Sequence, residues 1–311
     1  MKSWLIGLAA MAASAAVPGL ANAKDFTIGL SQESLDHPWL ATQKRQVLEE
    51  AKKSGINVYT TDGQGSVVKQ IAGIEDMLSK GVDLVMIQAG KAEGLRQELA
   101  TLDEQKIPYM FVGKPILGTT AKTLVSMDNE KIGTQVGQYI VDQLKAKHGS
   151  AQGNVVVIEG IPGDETSVLR IRGAMSALGK EPGIKIVAQQ PADYRRPQAV
   201  AVMQNVLQAN RAGTLDAVFA ANGEMALGAI QAINDANRKG EMIVTGIDGQ
   251  KEEFEAIRNG DESATWLYAP CGVEGVEAAF KILKGEEVPK QIIEPSVQIT
   301  KANVDSVTPA F

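Results

Sequence analysis

Short runs of β-branched and other apolar residues alternate with longer amphipathic stretches from residue 26 onward. This alternation predicts a parallel β-sheet with crossover helices. The predicted strands are residues 26–31, 56–60, 84–88, 109–112, 123–126, 155–158, 184–188, 217–220, 243–246 and 264–267. The first predicted helices are residues 38–54, 66–80, 93–105 and 129–147. The rhythm restarts at Val155, so the chain contains two consecutive α/β blocks of similar build.

The N-terminal 23 residues have a different pattern, which is typical of a secretory signal peptide. Lys2 gives a positive start, residues 5–17 are apolar, and residues 21–23 form a small-x-small cleavage sequence. An N-terminal membrane anchor is the alternative, but the apolar run is shorter than the roughly 20 residues that a spanning helix needs. We therefore expect cleavage after Ala23 and a mature chain that works in the periplasm.

Composition narrows the class of protein. The 311 residues include 31 Lys and Arg against 37 Asp and Glu, and this net charge of −6 argues against nucleic acid or an anionic membrane as a general partner. Cys271 is the only cysteine, so an intramolecular disulfide is impossible and no cysteine lies near the cleavage site for lipidation. The length after cleavage suits two domains of ordinary size, and a freely diffusing protein is expected.

Sequence signatures of enzymes are weak in this chain. Residues 63–65 begin like a dinucleotide-binding loop, but Val68 occupies the position of its third glycine. Two histidines, His37 and His148, and one cysteine make a zinc site of the usual ligand types improbable. No G-x-S-x-G elbow, Walker-type loop or evident carboxylate pair is present, so we expect no catalysis, no metal and no cofactor.

Polar segments follow the predicted strands. Ligands of open α/β sheets bind beyond the carboxyl ends of the strands. The segments in question are residues 32–39, 88–90, 113–114, 159–166, 222–224 and 247–249. Their amide, carboxylate and cationic side chains indicate ligand binding rather than covalent chemistry.

Several motifs resemble the ribose-type periplasmic sugar-binding proteins. They are residues 35–39, 190–194, 202–205, 222–229, 246–249 and 283–286, in order along nearly the whole mature chain. The segment 222–229 is the most specific of them. The resemblance implies an α/β protein with two doubly wound parallel-sheet lobes joined by a three-segment hinge, the type I periplasmic binding protein fold.

The resemblance also implies lobe boundaries. One lobe would comprise residues 24–127 plus 270–295, and the other residues 128–269 plus 296–311. The hinge crossings would then lie near residues 128, 269 and 295.

By the same resemblance, the ligand-binding residues would combine aromatic rings and polar groups. Trp39 and Tyr194 would pack on a sugar from opposite lobes, because sugar C–H faces pack on aromatic rings. Arg170, Asn222 and Asp248 would exchange hydrogen bonds with its hydroxyls. The full set is Glu33, His37, Trp39, Gln88, Lys114, Arg170, Tyr194, Asn222, Asp248 and Tyr268.

The chain departs from the ribose-binding pattern at several of these positions. Gly113-Lys114 replaces an Asp-Arg pair, Glu33 replaces a serine, His37 replaces an asparagine and Tyr268 replaces a glutamine, while Gln88 also stands in for an asparagine. Loss of the aspartate with retention of two cations shifts the expected cleft toward hydrogen-bond donors. Ribose itself is therefore disfavoured, and another pentose or hexose, a polyol or an acidic sugar derivative stays open.

The sequence as a whole predicts a monomeric periplasmic solute-binding component of an ABC importer. It would trap a small polyhydroxylated ligand by hinge closure and deliver it to a permease and its ATPase. One alternative is a sensor of a sugar-like signal, such as an autoinducer, that docks on a chemoreceptor. A LacI-type sensor domain is less consistent, because the chain has an export signal and a negative charge instead of a basic DNA-binding segment.

Overall fold

The alternating pattern folds into two six-stranded β-sheets flanked by helices. This computed structural model describes residues 25–90, 92–116 and 118–311, so the predicted signal segment and its cleavage site lie outside the described residues. Within these ranges, no helix is both long enough and apolar enough to cross a membrane.

The elements follow the predicted alternation. The strands are β1 (Thr27–Gln32), β2 (Asn57–Asp62), β3 (Leu84–Gln88), β4 (Tyr109–Val112), β5 (Leu124–Met127), β6 (Gln152–Glu159), β7 (Gly183–Pro191), β8 (Ala217–Ala220), β9 (Ile243–Thr245), β10 (Ala264–Trp266), β11 (Gln291–Glu294) and β12 (Gln298–Thr300). The helices are α1 (Pro38–Lys53), α2 (Val67–Ser79), α3 (Ala92–Glu104), α4 (Asn129–His148), α5 (Glu165–Leu178), α6 (Arg196–Ala209), α7 (Gly223–Asp235), α8 (Lys251–Asn259) and α9 (Gly272–Leu283).

Each sheet is doubly wound. The first has the order β11-β5-β4-β3-β1-β2 and every neighbouring pair is parallel. The second has the order β12-β10-β9-β8-β6-β7 and is parallel except for the antiparallel pair of β10 and β12. Helices on both faces explain why the central strands are nearly continuous apolar runs. In β3, Met86 faces one core cluster while Val85 and Ile87 face another.

The chain passes between the sheets three times. It leaves the first sheet after β5, returns between β10 and α9, and crosses again between β11 and β12. The last two crossings are hydrogen-bonded to each other, because Leu267 N donates to Val297 O at 2.9 Å and Ser296 Oγ donates to Leu267 O at 2.8 Å. Adjacent crossings of this kind are the connection that two lobes need to rotate as units.

Differences from the predicted elements lie at the polar sheet edges. Strand β6 begins at Gln152, before the apolar run at Val155, and its partner β7 extends beyond residues 184–188 in both directions. Strands β11 and β12 are not predicted by the pattern at all. They are short edge strands: Ile293 of β11 is 46% exposed, and Ile299 is the single buried residue of β12, so neither strand shows a run of buried hydrophobic residues.

Candidate functional site

The carboxyl ends of the two sheets face each other across a cleft. Polar contacts connect them: Lys114 Nζ lies 3.0 Å from Asp164 Oδ2, and His37 Nε2 lies 3.1 Å from Asn222 Nδ2. Lys114 and His37 follow strands of the first sheet, whereas Asp164 and Asn222 follow strands of the second. We refer to the space between these strand ends as the interlobe cleft.

Three cleft residues are N-caps of helices. The His37 side chain accepts a hydrogen bond from Trp39 N at the start of α1, Asp164 accepts one from Ser167 N at the start of α5, and Asn222 accepts one from Met225 N at the start of α7. Capping uses one acceptor of each side chain. Their positions are therefore fixed by helix geometry before any ligand is present.

Lys114 is neutralised by two carboxylates. Its ammonium lies 2.8 Å from Glu33 Oε1 and 3.0 Å from Asp164 Oδ2, and the three side chains are mostly buried. Although burial by itself disfavours the ammonium, the two carboxylates raise the pKa of Lys114. Likewise, burial opposes ionisation of Asp164, but Lys114 and the hydroxyl of Tyr194 lower its pKa. The sequence predicts an excess of hydrogen-bond donors around Lys114. The structure does not show this excess, because Glu33 from the first lobe and Asp164 from the second both face the lysine.

Tyr194 supports this ion-paired cluster. Its hydroxyl donates to Asp164 Oδ1 at 2.7 Å, and Lys114 Nζ lies 5.5 Å from the ring centroid. The ring lies against the backbone of Gly160, where a Cβ would be 2.7 Å from the Tyr194 hydroxyl oxygen and closer still to the ring carbons. Asp193 and Tyr194 both have positive φ, of 54° and 61°, which is costly for residues with a side chain. The turn thus holds the ring at a defined point in the cleft.

An aromatic pair lies next to the crossing after β10. The rings of Trp39 and Tyr268 are 5.6 Å apart, and Trp39 Nε1 donates to Tyr268 O at 3.0 Å. The other side of the pair is bounded by Gly113, which has φ of 85° and where a Cβ would lie 2.7 Å from Trp39 Cη2. The glycine that replaces an aspartate in the resemblance is therefore required by the position of the tryptophan.

Arg170 is the cation of the second sheet's half of the cleft. It is 2% exposed, and it donates from Nε to Asn129 Oδ1 at 2.9 Å and from Nη1 to Ala221 O at 2.6 Å. Its guanidinium lies 4.3 Å from the Tyr268 ring centroid, a cation–π contact. Nη1 is 3.9 Å from Asp248 Oδ1. Arg170 is thus held rigidly by neutral acceptors and faces one acid.

Asp248 is the buried acid of the cleft. Its Oδ2 accepts a hydrogen bond from Gly223 N at 3.2 Å, at the start of α7. Burial raises the pKa of Asp248 even though Arg170 opposes the shift. A ligand hydroxyl that donates to this carboxylate would compensate its desolvation.

His37 and Asn222 meet as two donors. His37 Nδ1 accepts from Trp39 N at 3.2 Å, so the proton of the neutral ring lies on Nε2. Asn222 Oδ1 accepts from Met225 N at 2.9 Å, so its amide nitrogen is the atom that faces Nε2. Desolvation lowers the pKa of His37 to about 4, so the ring is neutral at neutral pH. An acceptor oxygen within hydrogen-bond distance of both nitrogens would satisfy both.

Gln88 occupies a supporting position rather than a central one. It is buried, its Oε1 lies 3.4 Å from Glu33 N, and its Nε2 lies 3.5 Å from Glu33 Oε1. Both contacts are at the long end of the hydrogen-bond range. Gln88 therefore orients Glu33, which in turn faces Lys114.

The structure brings the ten sequence-predicted site residues to one region, in three groups. Glu33 and Lys114 form the ion-paired cluster with Asp164, and Gln88 and Tyr194 lie against it. Trp39 and Tyr268 form the aromatic pair with Arg170 and Asp248 nearby, and His37 and Asn222 meet between the lobes. Sequence reasoning missed Asp164 and Asn129. An acid three residues before Ser167, where a strand gives way to a helix, is an N-cap signal that could have identified Asp164.

No metal centre is evident in the residues that the structure describes. Among them, no group of three or more His, Cys, Asp or Glu side chains is placed to hold a metal ion. Cys271 is buried and its thiol donates to Ala269 O at 3.3 Å, while burial raises its pKa. It is a structural thiol next to a lobe crossing.

Comparison with known proteins identifies relatives along most of the chain. The periplasmic binding protein domain family matches residues 28–287. A ribose import binding protein from Bacillus subtilis is 33% identical over 276 residues, which are 88% of this chain and 87% of that protein. A xylitol-binding protein from Mycolicibacterium smegmatis is 31% identical over 258 residues, which are 82% of this chain and 72% of that protein.

Solved structures agree with these matches. An ABC transporter solute-binding protein from Mycobacterium smegmatis with bound glycerol is 30% identical, covers 91% of this chain and 96% of its own, and has a TM-score of 0.85. These findings confirm the predicted resemblance to ribose-type periplasmic sugar-binding proteins and the predicted two-lobed α/β fold. The relatives named are binding proteins.

Proposed function

The chain belongs to the periplasmic binding protein family, and from this membership we propose that it is the solute-binding component of an ABC importer for a neutral sugar or polyol. The ligand binds in the interlobe cleft, the hinge closes on it, and the ligand is later released chemically unchanged. The names of the ribose-binding and xylitol-binding relatives and the bound glycerol of the third support this ligand class.

The donor pair of His37 and Asn222 carries this proposal. Each side chain has its acceptor committed to a helix N-terminus, and His37 Nε2 and Asn222 Nδ2 lie 3.1 Å apart, while Asn222 Nδ2 also lies 3.5 Å from Tyr194 O. With its proton on Nε2, the His37 ring has no acceptor in Asn222 Nδ2, and an unmade hydrogen bond is costly in a buried place. A hydroxyl or ring oxygen of a sugar accepts from both and joins the lobes, so the ligand stabilises the closed state specifically.

The charges of the cleft favour a neutral ligand over an acidic one. Lys114 faces both Glu33 and Asp164, so its charge is already matched. Arg170 donates to Asn129 and Ala221 and faces Asp248. An anionic sugar would have to displace a carboxylate from Lys114 or a neutral acceptor from Arg170. A ligand that carries only hydroxyls exchanges hydrogen bonds with these groups without adding charge.

Closure would move two lobes about the three crossings. We propose that residues 24–127 plus 270–295 form one lobe and residues 128–269 plus 296–311 the other, with export by the N-terminal signal and a periplasmic location. The sheet to which each strand belongs supports this division. The closed, loaded protein, as a monomer, would deliver its ligand to the permease and its ATPase.

Thermal unfolding against a ligand panel tests the proposal. The mature protein, unfolded and refolded to remove bound ligand, is heated with pentoses, hexoses, polyols and sugar acids. A ligand at 100 times its Kd adds about 2.7 kcal/mol to the free energy of unfolding, which raises the midpoint by about 5 °C. We expect a selective rise with one or more neutral members. No rise with any neutral member, or a rise with sugar acids alone, contradicts the proposal.

A further inference from the structure

Two buried carboxyl groups lie behind Asp248, outside the cleft. Glu253, in the first turn of α8, is 0% exposed, and Glu262, just before β10, is 3% exposed. Both reach the same face of Gly246, where a Cβ would lie 2.7 Å from Glu262 Oε1 and nearer still to Glu253 Oε1. The two carboxyl groups are therefore side by side in the interior.

Their hydrogen bonding is unequal. Glu253 Oε1 accepts from Thr265 Oγ1 at 2.7 Å, and Oε2 accepts from Gln250 N at 2.9 Å, which completes a capping box on α8. Neither side-chain oxygen of Glu262 has a partner with hydrogen-bond geometry, although burial raises its pKa and the nearby Gly246 N–H opposes that rise. A buried carboxylate with so little donor support next to a second carboxylate is strongly unfavourable. A proton on Glu262 that is donated to Glu253 neutralises one of the two carboxylates and gives the pair a hydrogen bond.

The pair is connected to the ligand-facing loop. Thr265, which donates to Glu253, also accepts a hydrogen bond from Gly249 N at 3.3 Å, next to Asp248. The Glu253 carboxyl group also lies against the α-carbon of Gly223, whose N–H donates to Asp248. The Asp248 loop and the start of α7 therefore share one buried support.

Charged side chains from three helices act on Asp248. Asp248 faces Arg170 from α5, Glu224 from α7 and Glu253 from α8, while Glu224 is itself paired with Arg196 at 2.7 Å. Burial is the largest effect on both members of the pair and raises the pKa of Glu253 and Glu262. Loss of the shared proton would place a second negative charge behind Asp248, and Arg170 is the cation that opposes it.

We propose that Glu262 is a positioning residue for ligand binding: it holds a proton shared with Glu253, and this single negative charge lets Asp248 ionise and accept hydroxyl hydrogens of the ligand. The role in ligand binding rests on the proposed function, whereas the proton shared by Glu253 and Glu262 does not depend on it. When the pair loses its proton at alkaline pH, the added negative charge raises the pKa of Asp248. Repulsion between the two glutamates also destabilises the Asp248 loop.

A ligand-free experiment tests the proton. Glu262→Gln keeps the shape and donates permanently from its amide to Glu253, whereas Glu255→Gln removes an exposed acid from α8, the helix of Glu253, as a control. Urea midpoints are measured from pH 5 to pH 9. We expect the midpoint of Glu262→Gln to rise relative to that of the native protein as the pH increases, and that of Glu255→Gln to track the native protein. Parallel curves for all three overturn the proposal.

Two further measurements keep the inference decisive. If Glu262→Gln does not fold, carboxyl ¹³C NMR of the native protein shows whether a glutamate pair retains a proton above pH 6. If every glutamate instead loses its proton in the usual range for an exposed carboxyl group, the proposal is overturned.

With the neutral panel sugar that stabilises most, we expect the affinity of Glu262→Gln to rise about tenfold relative to the native protein between pH 6 and pH 9. If the ratio of the two affinities is the same at pH 6 and pH 9, the positioning role is overturned. If no sugar in the panel binds, the proposed function is contradicted, but the result of the ligand-free experiment still holds.

Discussion

His37 Nε2 and Asn222 Nδ2 lie 3.1 Å apart across the interlobe cleft, and the hydrogen bond from Trp39 N to His37 Nδ1 assigns the proton of the neutral ring to Nε2. This contact opposes closure of the empty protein, whereas the contact of Lys114 with Asp164 favours it. The two effects act between the same lobes. A ligand oxygen changes only the first contact, from repulsive to attractive, and so determines when the closed state is preferred.

Asn222→Asp should convert the donor pair into a donor and an acceptor. The new carboxylate can still cap α7 and can accept from His37, so the empty cleft closes without ligand. We expect the pKa of His37 to rise and the affinity for the neutral ligand to fall at least tenfold, or about 1.4 kcal/mol. NMR titration of the histidine and calorimetry measure the two effects.

Asn222→Ser is the matched control for this variant. It retains a capping oxygen but removes the amide nitrogen, so it should weaken ligand binding without raising the pKa of His37. Equal behaviour of the two variants would be inconsistent with the donor-pair account.

Tryptophan fluorescence should report the ligand from one residue. Trp39 lies in the cleft against Tyr268, whereas Trp266 is 1% exposed in β10 and contacts Tyr139. We expect ligand-induced fluorescence change in the native protein and in Trp266→Phe, and its loss in Trp39→Phe. Trp39→Phe should also weaken binding, because it removes the hydrogen bond to Tyr268 O. A ligand signal that survives in Trp39→Phe but not in Trp266→Phe would refute the assignment.

Acid should destabilise the protein through His37. Desolvation lowers its pKa in the folded state to about 4, below the unfolded value near 6.5, so the unfolded chain binds more protons between these values. The stability contributed by the neutral ring is complete above pH 6.5 and is lost as the pH falls toward 4. The loss is roughly 3 kcal/mol. His37→Asn should reduce this acid loss in urea unfolding, and an unchanged acid loss in the variant would contradict the assignment.

The ion-paired cluster should set the preference for neutral ligands. Glu33→Gln combined with Asp164→Asn leaves the Lys114 ammonium without a carboxylate partner, so the affinity for a sugar acid such as gluconate should gain at least tenfold relative to a neutral sugar. Glu49→Gln with Glu255→Gln removes the same charge from the exposed surface and should leave the ratio unchanged. An unaltered ratio in the cleft variant argues against charge selection.

The fold could be predicted from sequence to the extent that burial marks it. Central strands such as β3 and β8 have the predicted bounds because both faces are covered, and α1 begins at Pro38 as expected. Strands β11 and β12 escape prediction because they are only four and three residues long and pair with strands more than 30 positions away.

The site was less accessible from sequence, because its chemistry arises from pairs distant in the chain. Residue types at strand ends indicate Asn222 and Asp248, but nothing local shows that Lys114 faces both Glu33 and Asp164. The buried pair of Glu253 and Glu262 is likewise invisible, because one member reads as a capping residue and the other as a loop acid. Charge balance in a cleft requires the tertiary structure.

The tautomer and ligand response of His37 test the central claim most directly. Only two histidines, His37 and His148, are present, so ¹⁵N NMR of selectively labelled protein resolves both. We predict a neutral His37 ring with its proton on Nε2, and a shift of the Nε2–H signal when a stabilising neutral sugar is added, with His148 unchanged. A His37 ring protonated on Nδ1, or Nε2–H signals that do not respond to a sugar that raises the melting temperature, would contradict the account.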